Sequence, residues 1–438
     1  MTHASDERAS AQLSPSTRAP PRVRCYVRVS QPRSRSIILA LWLMVFTISS
    51  QVNVVIPILP RLGESLDIPE SLFGFVVSVY AIALSVVALL GGPMSDTLGR
   101  RRIMLMGCVG TAAALSLHSL AYDFLSLVLA RVLTGAAGGF LSGSAVACIG
   151  DYFAPERRGR VTGYVLSGVA FGQMIGIPIG TLLAEHFDYR WTFALFAALM
   201  VLAATLVWRY LPRIAPPQRP GGLALRAVLA NYRRIQRRPG AVLLVATNLI
   251  AFAALNVYLV YLPAWLKSHL GLSGTEIASM FFAGGLATVL ASPVIGHLTD
   301  HVGKVTLIAS ACAAMGLLAM ATLFAVEGTW SASLMFSAMM LAVALRNVPF
   351  QSLLTMMVSG RERGTLSSLA FSAGQIGMGV GGLLAGLAYH GYGFAGTCST
   401  AAVLGLTLAL LVYQWLPEPV ATPTPRERSL PVSTPSPT

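Results

Sequence analysis

Residues 92–102 read Gly-Pro-Met-Ser-Asp-Thr-Leu-Gly-Arg-Arg-Arg, and residues 296–304 read Gly-His-Leu-Thr-Asp-His-Val-Gly-Lys. Gly92, Asp96, Gly99 and Arg100 of the first segment stand 204 residues before Gly296, Asp300, Gly303 and Lys304 of the second. The same loop thus occurs twice in one register, and the two copies divide the chain into matching halves. In each copy glycine permits a tight reversal and the basic residues hold the loop at a membrane surface. The aspartate can face a neighbouring helix N-terminus, where negative charge is favoured.

Working outward from these loops, the chain is a succession of apolar runs. A bilayer-spanning helix needs about 20 largely apolar residues. That template predicts twelve spans, near 36–58, 72–92, 103–121, 125–148, 161–186, 191–212, 241–266, 275–295, 305–326, 331–352, 366–390 and 395–416. The fold class is an all-α membrane protein, with twelve transmembrane helices in two pseudo-symmetric six-helix bundles, 36–212 and 241–416. Residues 213–240 are expected to link them. There Leu225, Val228, Leu229, Tyr232 and Ile235 oppose Arg226, Arg233 and Arg237 as on an amphipathic interfacial helix. Residues 1–35 are basic and broken by four prolines, and 417–438 hold seven prolines. Both are expected to be disordered tails.

Composition excludes the main alternatives. Of the 438 residues 55% are hydrophobic and only 11% charged, against roughly 25% charged in a soluble domain. Soluble enzymes, soluble binding modules and disordered proteins are ruled out. The net charge of +14 could mark nucleic-acid binding, but its placement assigns it to topology. With the N-terminus in the cytoplasm, 26 basic residues fall on the cytoplasmic side and only Arg61, Arg190 and Lys267 on the other. The positive-inside rule then places both termini in the cytoplasm. The five cysteines lie singly, without ligand spacing, so no metal, cofactor or disulfide framework is expected.

The loop pattern resembles the signature of the major facilitator superfamily, and the resemblance covers nearly all of 36–416. It implies a transporter of small molecules that works by alternating access. It also implies that Asp96 and Asp300 latch the halves on the cytoplasmic side in the outward-facing state; the plainer reading is a solvated turn. Arg131-Val-Leu-Thr-Gly135 in span 4 looks like a motif of the 12-helix drug–proton antiporters. Span 5 resembles another of their motifs, although Ile177 stands where a proline is expected and Pro178 follows. Columns of small residues at four-residue spacing, Gly135 and Gly139 in span 4, Gly168, Gly172, Gly176 and Gly180 in span 5, and Gly377 and Gly381 in span 11, allow close helix approach. In spans 5 and 11 they are also where the halves are expected to slide or rock.

Charges inside a membrane default to functional candidates. Only Arg131 and Arg346 fall well within spans, and Arg346 is expected to snorkel toward the cytoplasm. No Asp or Glu lies deep in a span, so a proton-coupling group is left to Asp123, Glu185 or His118. By the superfamily analogy Asn53, Arg131, Asn256, Tyr258 and Tyr261 are pathway candidates, with Gln173 and Gln375 at the cavity wall. Tyr258 and Tyr261 share one helix face and Asn256 the opposite one, so only one set can line a cavity unless span 7 is broken there. A pathway with fixed positive charge favours neutral or anionic solutes. The expectation is a monomeric efflux transporter of the bacterial inner membrane, its partners being lipid, a small-molecule substrate and protons if coupled, and not nucleic acid. A proton-independent importer or uniporter is the alternative within transport. A receptor or membrane enzyme is the alternative outside it, but no catalytic or nucleotide-binding motif is present.

Overall fold

The computed structural model describes residues 31–213, 233, 237, 239–357 and 360–416. The two tails, to residue 30 and from 417, and nearly all of the linker helix lie outside these residues. Among the described residues there are helices and turns and no strand. Span 1 is Gln31–Asn53 continued by Val55–Leu66, span 2 is Phe73–Leu98 and span 3 is Arg100–His118. Span 4 is Phe124–Leu141 followed by Ser144–Tyr152, and span 6 is Tyr189–Tyr210. Span 5 runs as Pro155–Phe171, a π-turn at Gly172–Gly176, and Ile177–His186. In the second half span 7 is Pro239–Leu259 and Leu262–Leu270, span 8 Gly274–His301, span 9 Lys304–Ala325 and span 10 Thr329–Met356. Gly360–Trp415 is continuous in hydrogen bonding but bends at Gly393 (φ 62°), which divides it into spans 11 and 12.

Local chemistry sets these boundaries. Asp123 caps span 4 by accepting from the Ser126 N–H at 2.8 Å, and the Ser126 side chain accepts in return from the Asp123 N–H. Ser273 and Glu276 make the same reciprocal box at the start of span 8. Gly99 holds φ 91° between spans 2 and 3, a left-handed conformation that only glycine adopts at low cost. Its counterpart Gly303 sits at φ −51°, open to any residue. The duplicated loop therefore needs its second glycine in the first copy alone.

Because successive spans alternate in direction, charges separate by end. Arg100–Arg102, Arg157, Arg158 and Arg160 mark one end; Glu64, Asp67, Glu70, Asp123, Glu185, Asp188, Glu276 and Glu327 mark the other. At the acidic end one apolar core runs through both halves, joining Leu59, Leu62, Phe73 and Val77 to Tyr258, Leu262, Leu266 and Ala385. Toward the arginine-rich end the core splits in two. Ile37, Met44, Met104, Cys148 and Met200 belong to a cluster of the first half, and Leu244, Ile308, Phe350, Leu366 and Val412 to one of the second. The halves are thus sealed at one end and packed separately at the other.

Candidate functional site: the gate and the buried arginines

The seal is built on glycine. A Cβ added to Gly74 of span 2 would stand 2.0 Å from the Gly382 carbonyl oxygen of span 11. One added to Gly382 would stand 2.7 Å from the Gly74 oxygen. This backbone contact lets Ser78 Oγ donate to the Gly379 carbonyl at 2.6 Å and Ser85 Oγ to the Ser372 carbonyl at 3.0 Å. Nearer the rim, the Tyr261 hydroxyl donates to the Ser71 carbonyl (3.1 Å) and accepts from the Gly74 N–H (3.3 Å). The Tyr389 hydroxyl, whose ring stacks on Tyr261 at 4.2 Å, donates to Glu70 Oε2 at 2.6 Å. Lys267 closes the rim on Glu64. On the other flank Met174 of span 5 meets Gly285 of span 8, where an added Cβ would lie 2.7 Å from its Cα.

The expected sliding columns lie elsewhere. Gly168, Gly172, Gly176 and Gly180 abut Trp42, Phe46, Ser50 and Val54 of span 1, turn by turn, inside their own half. Gly377 and Gly381 abut Leu249 and Ala253 of span 7, also within their half. Gly135 and Gly139 press on the Tyr80 and Leu84 carbonyls of span 2. These columns are internal seams. The halves meet instead along the next face of span 11, at Gly379, Gly382 and Gly386.

Arg131 is buried in the first half, 1% exposed. Its guanidinium carbon lies 5.3 Å from the Tyr80 ring centre and 5.8 Å from that of Phe193, a cation–π setting. Gln51 Nε2 donates to the Tyr80 hydroxyl at 2.9 Å. Arg131 Nε and Nη2, Gln51 Oε1 and His118 Nε2 have no partner among the described residues. In the sequence Gln51 stands among the polar residues Ser49, Ser50 and Asn53 of span 1, and nothing marks Tyr80. Asn53 looked equally polar, and a lone tyrosine in an apolar span passes for packing.

In the second half Arg346 does not snorkel. It is 1% exposed, its Nη1 donates to Asn248 Oδ1 at 3.2 Å, and its Nη2 donates to Asn347 Oδ1. Phe252 and Phe350 flank it, with ring centres 5.0 and 6.0 Å from the guanidinium carbon. An amide acceptor from span 7 holds it inward, which the sequence position alone does not reveal.

The other candidates separate. Span 7 is broken, its first helix ending at Leu259 and its second starting at Leu262. Across this break Tyr258 turns into the second half, where its hydroxyl shares a 3.1 Å hydrogen bond with Thr322, while Tyr261 turns to the seal. The two therefore do not act from one face. Asn256 Nδ2 donates to the Phe252 carbonyl (3.1 Å) and its Oδ1 has no partner among the described residues. Asn53 is half-buried and donates to the Ser49 carbonyl; Gln173 is exposed on the π-turn, and Gln375 is half-buried with Oε1 unpartnered among the described residues. Glu185 is held by Arg61 at 2.8 Å, and His118 bonds the Ala114 carbonyl through Nδ1. Hydrogen bonds from Ser126 pull the Asp123 carboxyl below its ordinary range. At the duplicated loops Arg100 pairs with Asp151 at 3.0 Å and with Ser95, all within the first half. Gly92 lies on the described helix of span 2, and the side chains of Asp96 and Asp300 lie outside the described ones.

With that geometry in hand, the comparisons are consistent with one another. The chain is 27% identical over 386 residues to the "Uncharacterized MFS-type transporter YceJ" of Bacillus subtilis, covering 85% of this chain and 95% of that one. It is 26% identical over 387 residues to the "Multidrug resistance protein MdtG" of Salmonella typhi, covering 85% and 93%. A crystal structure of a D-xylose-proton symporter superposes with a TM-score of 0.73 at 19% identity, over 88% of this chain and 98% of that one, a likeness of fold. The profile of the Major Facilitator Superfamily matches residues 41–343 and again 244–436. A twelve-helix, two-half membrane protein sealed at one end, matched over most of its length by transporters, belongs to the Major Facilitator Superfamily and is a secondary transporter.

Proposed function

We propose that the protein exports small organic solutes from the cytoplasm across the bacterial inner membrane, by alternating access and without chemical conversion, as a monomer with both termini cytoplasmic. The observation that carries this reading is the asymmetry of closure. The halves join through Gly74 and Gly382 at the acidic end and have separate cores at the arginine-rich end. The charge asymmetry supports a cytoplasmic arginine-rich end, which makes this conformation inward-facing, ready to load from the cytoplasm. The two bundles, 36–212 and 241–416, rock as units about the seal, joined by 213–240. Gly92, Asp96, Gly99 and Arg100 with Gly296, Asp300, Gly303 and Lys304 latch the arginine-rich end when the acidic end opens. Asn53, Gln173, Asn256 and Gln375 contribute polar contacts along the pathway, Arg131 supplies fixed charge, Tyr258 braces the second half and Tyr261 closes the gate. Similarity to a multidrug resistance protein supports export.

The second reading, proton-independent import or uniport, is favoured by one observation. The titratable candidates are engaged locally: Asp123 in a helix cap, Glu185 with Arg61 and His118 with a backbone carbonyl. Flux of neutral and anionic aromatic compounds from proteoliposomes, with and without a pH gradient, separates the two. Flux indifferent to the gradient removes antiport. An impermeant thiol reagent that labels a cysteine placed at Arg157 from outside intact cells overturns the orientation.

A further inference from the structure

Arg346 is a buried full charge with no carboxylate within ion-pair distance among the described residues. Its partners are two amide oxygens and two aromatic faces, and its Nε is unpartnered. At 1.5 Å per residue it stands about 25 Å from the start of span 10 and about 15 Å from its end, well inside a hydrocarbon layer of about 30 Å. An uncompensated cation at that depth is costly, and an apolar residue would serve packing better. The charge is therefore retained for something other than the fold.

Its level along the seal indicates what. Asn248, which holds Arg346, donates to the Ala370 carbonyl at 2.7 Å and abuts Gly374. Between these two lies Ser372, whose carbonyl receives the Ser85 hydrogen bond that joins the halves. Past this level the apolar cores belong to separate halves. Arg346 thus stands where the halves part, whereas Arg131, only about 10 Å from the acidic end of span 4, lies within the sealed part. Asn347, which covers Nη2, is half-buried, and Gln351, one turn on along the same face, is exposed. This polar face on an apolar span leads from the arginine-rich end to the guanidinium. Phe252 is also half-buried and presents an aromatic surface beside it.

We propose that Arg346 is the binding site for the anionic group of the transported solute, a small aromatic carboxylate. The carboxylate takes the guanidinium N–H groups now engaged by amides, and the ring lies against Phe252. The proposal rests on the transport reading for its role, but its test is one of binding. Purified full-length protein is titrated calorimetrically with benzoate, the neutral benzamide and the cationic benzylammonium. Benzoate is expected to bind at least about tenfold tighter than benzamide, as a charge-assisted fork to a desolvated arginine should. Arg346→Gln is expected to remove that preference, while the surface variant Arg190→Gln keeps it. Asn347→Ala leaves the charge in place and serves if Arg346→Gln does not fold. Freed of its amide partner, Nη2 should then take benzoate about fivefold more tightly. Benzoate preference that survives Arg346→Gln, benzylammonium binding as tight as benzoate, or an unchanged affinity in Asn347→Ala each overturns the proposal. Arg346-dependent benzoate binding in a protein without flux supports the site and removes the transport reading; flux without such binding does the reverse.

Discussion

Replacing Gly74 by alanine tests whether the glycine contact sets the conformational equilibrium. The new methyl would lie 2.0 Å from the Gly382 oxygen, where ordinary contact begins near 3.4 Å, so spans 2 and 11 must separate by about 1.4 Å. Neither partner can yield by a rotamer change, because the clash is with backbone. Separation of that size breaks the Ser78–Gly379 hydrogen bond and both Tyr261 bonds, to Ser71 and to Gly74. At about 1 kcal/mol each, the sealed state loses about 3 kcal/mol, a shift of roughly a hundredfold toward opening at the acidic end. Within span 2 alone the substitution favours the helix by about 0.5–1 kcal/mol, so the half itself is not weakened. The readout is the distance between spin labels at Asp67 and His269, on opposite halves at the acidic end, in a cysteine-free background. A longer and broader distribution in Gly74→Ala is expected, with Gly391→Ala, which meets nothing within 4 Å, unchanged. Superimposable distributions for Gly74→Ala and the parent would refute the reasoning.

Three further outcomes follow from the packing and the charges. Gly377→Ala places a methyl 2.0 Å from the Leu249 carbonyl and should cost about 1–3 kcal/mol in thermal denaturation, whereas Gly163→Ala, which meets nothing within 4 Å, should be neutral or slightly stabilising. Arg131→Met removes a buried charge that has no carboxylate partner among the described residues and should raise stability by about 1–4 kcal/mol while abolishing flux; a variant that keeps its flux removes Arg131 from the pathway. Asp123→Ala should lower the melting temperature at neutral pH. Because the folded carboxyl titrates below its ordinary value of 3.8, that contribution is present above 3.8 and lost as pH falls through the lowered folded value, so the two proteins should converge in acid.

What could be read from the chain beforehand was whatever is local. Long apolar runs and a repeated Gly-x-x-x-Asp-x-x-Gly loop announce twelve spans and two halves, because both are properties of a few consecutive residues. Four-residue glycine columns were equally visible, but not what they touch. Gly168 to Gly180 face span 1 rather than the other half, since the choice of neighbour depends on how six helices arrange around one another. The divergence of Tyr258 from Tyr261 depends on a break at Val260 and Tyr261, where Pro263 opens the next helix and has no N–H for the Leu259 carbonyl; the proline marks the break, but not which way each tyrosine turns across it. Arg346 was misplaced for a related reason. Snorkelling is settled by distance to the interface, and Asn248, 98 residues away in sequence, holds it inward.

The strength of the seal also fits its use. Its rim pair is exposed, with Glu64 at 56% and Lys267 at 36% of side-chain area, so it adds at most about 1 kcal/mol. The core of the contact is backbone against backbone, with a handful of hydrogen bonds. A gate that must open on every cycle cannot rest on a deep ion pair, since breaking one would cost several kcal/mol. Nor does it need one, because a shift of about 5 kcal/mol already reverses a two-state population. The deep charges are kept off the Gly74–Gly382 contact instead. Arg131 is set against the rings of Tyr80 and Phe193, and Arg346 against rings and two amides, each inside a single half, so neither setting is broken when the halves part. An anion bound at Arg346, at the level where the halves diverge, could then bias the equilibrium only by drawing the first half onto itself. That is the differential contact by which a solute can drive closure at the arginine-rich end.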